Sequence, residues 1–170
     1  MEEYLAKINF PEWNLKQDAG RPFAEGVAEL CARFPEYRDL IRAYDERYEE
    51  TIAGVIQPTV DILWTLKQQG YPLYGMTNWS SEKFWLVRPK YEFFDWFQAT
   101  IVSGEVKLVK PDPRIFALFL DMTGRKAGEC LLVDDSEENI AAARRLGFDA
   151  IHYRSPEQLE RELRQMGVLS

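Results

Sequence analysis

After Pro58 the chain alternates between two hydrophobic periods, and that alternation restricts it to one class of fold. Val60, Leu63 and Trp64 recur at helical spacing up to Gly70, and a short apolar run, PLYGM, follows. A helix is predicted over 80–87, a strand over 99–103 (ATIVS), and a helix opened by Asp112-Pro113 with Ile115, Phe116 and Phe119 on one face. Next come the strand ECLLVDD, a helix from Ser136 to just before Gly147, and a fourth strand, DAIHY. Ser155-Pro156-Glu157-Gln158 reads as a capping box, with Leu159, Leu163 and Met166 behind it. Strands alternating with helices pair in parallel, with helices on both faces of the sheet. Right-handed crossovers then bring the C-terminal ends of the strands to one edge, where ligands bind in such folds.

Upstream of residue 55 only helical patterns occur. Phe23, Val27, Leu30, Cys31 and Phe34 follow Pro22 at helical spacing, and Leu40, Ile41, Tyr44, Tyr48 and Ile52 continue the period after Pro35. The chain is therefore expected to divide into a small helical part, 1–55, and an α/β part, 56–170. A 46% apolar composition supplies a core, while a net charge of −7 disfavours nucleic acid or an anionic membrane as partner. The N-terminus lacks the pattern of a signal peptide, and no apolar run reaches membrane-spanning length. Cys31 and Cys130 fit reduced, buried thiols of a cytoplasmic protein, and the single His152 makes no familiar zinc set with them. The acidic run DERYEE reads as a solvated helix face.

The strand ends carry the chemistry. PLYGM is followed by Thr77-Asn78-Trp79-Ser80, ATIVS by a loop holding Lys107 and Lys110, and ECLLV by Asp134 and Asp135. Each has a plain structural explanation: turn and cap chemistry, a solvated lysine, an acidic helix start. Their conjunction suggests more. A hydroxyl and a lysine suit phosphoryl oxygens, and a carboxylate pair suits Mg²⁺, which prefers oxygen ligands. Phosphoryl transfer needs mainly such positioning and charge compensation.

The motifs TNWS, VSGEVKLVKPDPRIF and LLVDDSEENI, in that order, resemble motifs two to four of the haloacid dehalogenase (HAD) superfamily, phosphatase-like branch. The resemblance covers essentially the whole chain, with 1–55 matching a helical cap on a Rossmann-like core. It implies that Thr77 hydrogen-bonds the transferring phosphoryl group with Asn78 beside it, and that Lys110 neutralises that group. Asp135 becomes the Mg²⁺ ligand, Asp134 sits near the metal or Lys110, and Asn139 holds the lysine or the loop. Trp79 lines the pocket or belongs to the core; Lys107 receives no role. The acidic pair argues against the carbon–halogen-cleaving branch, and its place late in the chain argues against a receiver domain.

The first motif of the superfamily, a strand ending in a nucleophilic aspartate, is not found upstream of Thr77. Asp18 lacks a preceding apolar run and is not expected to serve as that nucleophile. The sheet is thus expected to lack its central first strand, the chain to be truncated, and self-association to be one way of covering the gap. The implied activity is Mg²⁺-dependent hydrolysis of a small phosphorylated metabolite through an aspartyl-phosphate in a longer parent; the alternative is a non-catalytic binding module keeping the pocket. Within EWNLKQDAGR, read as a glycine-broken polar segment between helices, Trp13, Asn14, Asp18 and Arg21 are candidate pocket residues, with Arg21 meeting an anionic substrate or pairing with a surface carboxylate.

Overall fold

The computed structural model describes residues 7–169. Helices α1 (Phe10–Asp18), α2 (Phe23–Arg33) and α3 (Arg38–Glu46) precede α4 (Gln57–Gln68) and β1 (Tyr74–Thr77). Then follow α5 (Ser81–Val87), β2 (Ala99–Val102), the single turn α6 (Ser103–Val106) and α7 (Pro113–Thr123). The chain ends with β3 (Leu131–Asp134), α8 (Glu137–Arg145), β4 (Asp149–His152) and α9 (Pro156–Gln165). No helix among the described residues is long and apolar enough to cross a membrane.

Two compact units form. Among the described residues, the first takes those up to 54 together with 76–92 and 101–109, so the N-terminal helices cluster with the segments that follow β1 and β2. Its core is aromatic: Trp13, Phe23, Leu30 and Ile41 are buried with Ile8, and Phe10, Tyr44 and Tyr48 pack against them. Trp13 and Phe23 meet edge-on at 5.7 Å, and the Trp13 indole N–H donates to the Gly26 carbonyl at 3.1 Å. Large rings bury much area and prefer such tilted contacts, which lets a small helical unit make a stable core.

EWNLKQDAGR is not an irregular connection. It is helical through Asp18, because Trp13 and Gln17 lie one turn apart on a buried face. Gln17 is fully buried, with its amide donating to the Trp13 carbonyl and accepting from Arg21 Nε at 2.5 Å. A hydrophobic pattern cannot reveal a face completed by a glutamine.

The second unit takes 55–75, 93–100 and 110–170. Here β3 and β4 pair in parallel, with Leu131 opposite Asp149 and Asp134 opposite His152. Ile62, Ile151, Leu159 and Leu163 are buried together, and Phe148 packs on Phe116 at 5.7 Å. Asp112 caps α7, Ser136 caps α8 and Ser155 caps α9, each accepting from a first-turn backbone N–H. The Gln158 side chain reaches back to the Arg154 N–H instead of the cap residue's own, a displaced form of the predicted capping box.

Among the described residues, β1 pairs only with β2 and β3 only with β4. Val133 in β3 is 41% exposed, whereas strands of a doubly covered parallel sheet are normally buried.

Candidate functional site

In the second unit, β3 ends in a buried carboxylate with every donor accounted for. Asp134 Oδ2 accepts from Lys110 Nζ at 2.6 Å, and Oδ1 accepts from the Ser136 N–H and Asn139 Nδ2, both at 2.9 Å. The Lys110 and Asp134 side chains are 9% and 5% exposed. Helix α8 supplies Asn139 because its first turn, capped by Ser136, returns that side chain over the strand end. Asn139, expected to hold the lysine or the loop, donates to Asp134.

Asp135 is exposed, and its carbonyl lies 2.9 Å from His152 Nε2. Adjacent residues at a strand end point to opposite sides, so the acidic pair divides into an internal hub and an outward carboxylate. Among the described residues no group of three or more His, Cys, Asp or Glu side chains forms a metal cage. The donor that faces outward, the Asp135 carboxylate, fits a hard dication that keeps water and phosphate oxygens in its shell.

In the first unit, β1 delivers Thr77, half-buried, at its C-terminal end, followed by Asn78 and Trp79. Trp79 is fixed at several points. Its indole N–H donates to Tyr48 Oη at 2.8 Å, its backbone N–H to Ser103 Oγ at 2.9 Å, and its carbonyl accepts from the Gly104 N–H at 3.1 Å. Only glycine fits at 104: a Cβ there would stand 2.4 Å from the Ser81 nitrogen. Arg21 does not present itself to an anion. It pairs with Glu29 and with Gln17, and its Nη2 is buried without a partner.

Asp18 terminates α1 beside these loops. Burial raises its pKa to about 6, against the opposing effect of hydrogen bonds from the Ser80 N–H and the Asn14 amide. The native group thus binds its proton more tightly than the unfolded one, whose pKa is about 3.9. The cost of holding it ionised is complete above pH 6, falls as pH drops through 6, and is gone below about 4. Asp18→Asn is therefore expected to raise stability at pH 7.5 by on the order of 1–2 kcal/mol, after discounting for partial exposure. Urea melts of variant and wild type should converge by pH 4; an advantage independent of pH would refute this account.

Ser103 and the buried Lys83 are not among the residues to which the sequence points. Ser103 carries a usable signal, a hydroxyl at a strand's C-terminal end like Thr77. Lys83 carries none, because its partner Asp45 lies 38 residues away.

Residues 3–147 match the haloacid dehalogenase-like hydrolase family. Bifunctional epoxide hydrolase 2 of Sus scrofa is 27% identical over 94% of the chain, and sesquiterpene phosphatase astK of Aspergillus oryzae 31% over 66%. The chain spans 29% and 59% of the length of these two relatives. Phosphoglycolate phosphatase of Pectobacterium atrosepticum is 29% identical over 74% of the chain and 54% of its own length. A HAD family enzyme from Bacteroides thetaiotaomicron, crystallised as a magnesium complex, shares the fold at a TM-score of 0.75 and 22% identity, over 94% of this chain and 83% of that one. A variant of that enzyme, complexed with magnesium and inorganic phosphate, gives a TM-score of 0.71 at 23% identity, over 89% and 84%. Because the family match runs through most of the chain, this protein belongs to the haloacid dehalogenase-like hydrolases.

Proposed function

We propose that the chain is the phosphate- and Mg²⁺-binding part of a phosphatase acting on a small phosphorylated metabolite. The observation that carries this is the Lys110–Asp134–Asn139 network, which fixes an ammonium beside an outward carboxylate, Asp135, at one strand end. The phosphatases among the relatives, and the magnesium and phosphate of the Bacteroides enzyme, support it. In this reading Thr77 and Asn78 hydrogen-bond the phosphoryl oxygens, and Lys110 offsets their charge while remaining paired to Asp134. Asp135 would ligate Mg²⁺ while Asp134 holds Lys110 behind it, and the ion would supply charge compensation to the phosphoryl group. The free thiols of Cys31 and Cys130 support action in a reducing, cytoplasmic setting.

In this reading a phosphate ester would be hydrolysed by attack of an aspartate carboxylate on phosphorus, with departure of the alcohol as it takes up a proton. Water then cleaves the aspartyl-phosphate, returning carboxylate and inorganic phosphate. Among the described residues no strand precedes β1, and no carboxylate ends one there. A second reading is a binding module that keeps the pocket without turnover.

The test is calorimetric titration of the chain with inorganic phosphate, with and without Mg²⁺, beside an aryl phosphate assay of the chain and of a version extended upstream. Mg²⁺-dependent phosphate binding is expected, with turnover only in the extended form. Hydrolysis by the short chain that is lost in Lys110→Ala would overturn the division of labour. Absence of phosphate binding in both forms would overturn the phosphatase reading itself.

A further inference from the structure

Beyond Thr77 the chain has no regular structure until Ser81, so the backbone groups of this segment need partners from elsewhere. Both backbone groups of Trp79 find them at the end of β2. Its carbonyl accepts from the Gly104 N–H at 3.1 Å, and its N–H donates to Ser103 Oγ at 2.9 Å. A side chain serves here because the Ser103 carbonyl is already turned into α6, where it accepts from the Lys107 N–H at 2.7 Å. The same hydroxyl has one proton to give, and it donates to the Asp18 carbonyl at 2.6 Å. That carbonyl is one of the last four of α1, which lie beyond the intrahelical ladder. The Trp79 carbonyl, 3.3 Å from the hydroxyl and taken by Gly104, is the poorer acceptor. Ser103 is fully buried, so water does not compete for either bond. All of these groups belong to the first unit.

We propose that Ser103 is the positioning residue for the segment after β1, its hydroxyl holding Thr77 and Asn78 where they meet phosphoryl oxygens. The ligand assigned here rests on the phosphatase reading above; the geometry does not. A segment that presents a hydroxyl and an amide to an anion, without helix or strand of its own, loses precision when its N–H groups exchange partners. One buried hydroxyl prevents this by accepting from the segment and donating to the end of a helix. The end of α1 is a firm anchor, because Trp13 and Gln17 in its last turns are buried in the core. The close approach depends on Gly104, where a Cβ would stand 2.4 Å from the Ser81 nitrogen and 2.9 Å from the Trp79 carbonyl oxygen. Ser103 thus acts on the ligand through the backbone of Trp79, carrying the rigidity of the N-terminal helices to the strand end.

The test compares Ser103→Ala, which removes both bonds, with Ser103→Thr, which keeps a hydroxyl. Two readouts are taken on each: affinity for inorganic phosphate in the presence of Mg²⁺, and amide hydrogen exchange. Ser103→Ala is expected to weaken phosphate binding about fivefold, the order of one hydrogen bond, with Ser103→Thr within about twofold of wild type. Exchange at the Trp79 amide should accelerate in Ser103→Ala while amides of β3 and β4 keep their protection. Leu30→Val serves as control: it thins the core of the same unit and lowers stability, removes no hydrogen bond, and is expected to bind phosphate as wild type does. Should Ser103→Ala not fold, Ser103→Cys, whose thiol is a weak partner for both groups, replaces it with the same expectations. Wild-type phosphate affinity in Ser103→Ala overturns the proposal. So does an equal loss in Leu30→Val, which would make the effect one of stability alone, or an equal loss in Ser103→Thr, which would acquit the hydroxyl. If wild type itself binds no phosphate, the phosphatase reading fails, and the exchange data alone decide: an unchanged Trp79 amide in Ser103→Ala overturns the positioning role, and an accelerated one upholds it.

Discussion

Lys110→Met is expected to lower the unfolding free energy by about 3–5 kcal/mol, because it leaves the Asp134 carboxylate buried without its cation. The pair is dry enough for this cost to be expressed: side-chain exposures are 9% and 5%, and the N–O distance is 2.6 Å. Two further donors, Ser136 N–H and Asn139 Nδ2, keep Asp134 in place after the lysine is gone, so the strand end cannot simply turn outward to water. Asp134→Asn in the Lys110→Met background should recover part of the loss, since an amide still accepts from those donors and carries no charge. Guanidinium melts of the four proteins of this cycle measure the coupling. A double variant no more stable than Lys110→Met alone would show that the cost lies in the lysine's packing and not in the orphaned charge. The cycle also bears on function. Loss of phosphate binding in Lys110→Met has two sources, a missing cation and a displaced β3 terminus. The double variant, with the terminus relieved of its charge, isolates the first.

What the sequence made legible is what short-range chemistry determines. Asp112, Ser136 and Ser155 open helices where expected because an N-cap is decided by residues within one turn. The strands fall within a residue or two of the apolar runs, and the order of the strand-end residues identified the family. What remained hidden depends on distant partners. The resemblance leaves Asp134 beside either the metal or Lys110; only Lys110 and Asn139, arriving from other elements, make it internal. Arg21, for which the sequence leaves an anion or a carboxylate as partner, is occupied by Glu29 and Gln17, and Gln17, within a segment that reads as polar, is fully buried. Asp18 reads in the sequence as a candidate pocket residue and an unsuitable nucleophile, whereas its backbone carbonyl reaches Ser103, 85 positions on. Helical and strand periods report which face is buried, and they do not report which polar groups will share the inside.

Lys83 is the clearest case of such a group, and it yields the second large effect. It lies on α5, 7% exposed, with Nζ donating to the Asp45 carbonyl at 2.9 Å and to the Asp45 carboxylate. The same ammonium stands 4.4 Å from the centre of the Phe23 ring and 5.5 Å from that of Tyr48. Lys83→Ala is expected to cost about 3 kcal/mol, through the cavity left by the stem together with the lost ion pair and ring contacts. The two partners are buried unequally, however: the Lys83 side chain is 9% exposed and that of Asp45 29%. Removing the shallow partner strands the deep charge, while removing the deep charge leaves a carboxylate that water can reach. Asp45→Ala is therefore expected to cost more than Lys83→Met, which keeps most of the stem's packing and costs about 1–2 kcal/mol. Thermal or urea melts of these variants give the order directly. If Lys83→Met proves the worse of the two, the aromatic faces of Phe23 and Tyr48, and not Asp45, hold the cation. In that case Tyr48, which also accepts from the Trp79 indole, would couple the charge to the loop after β1.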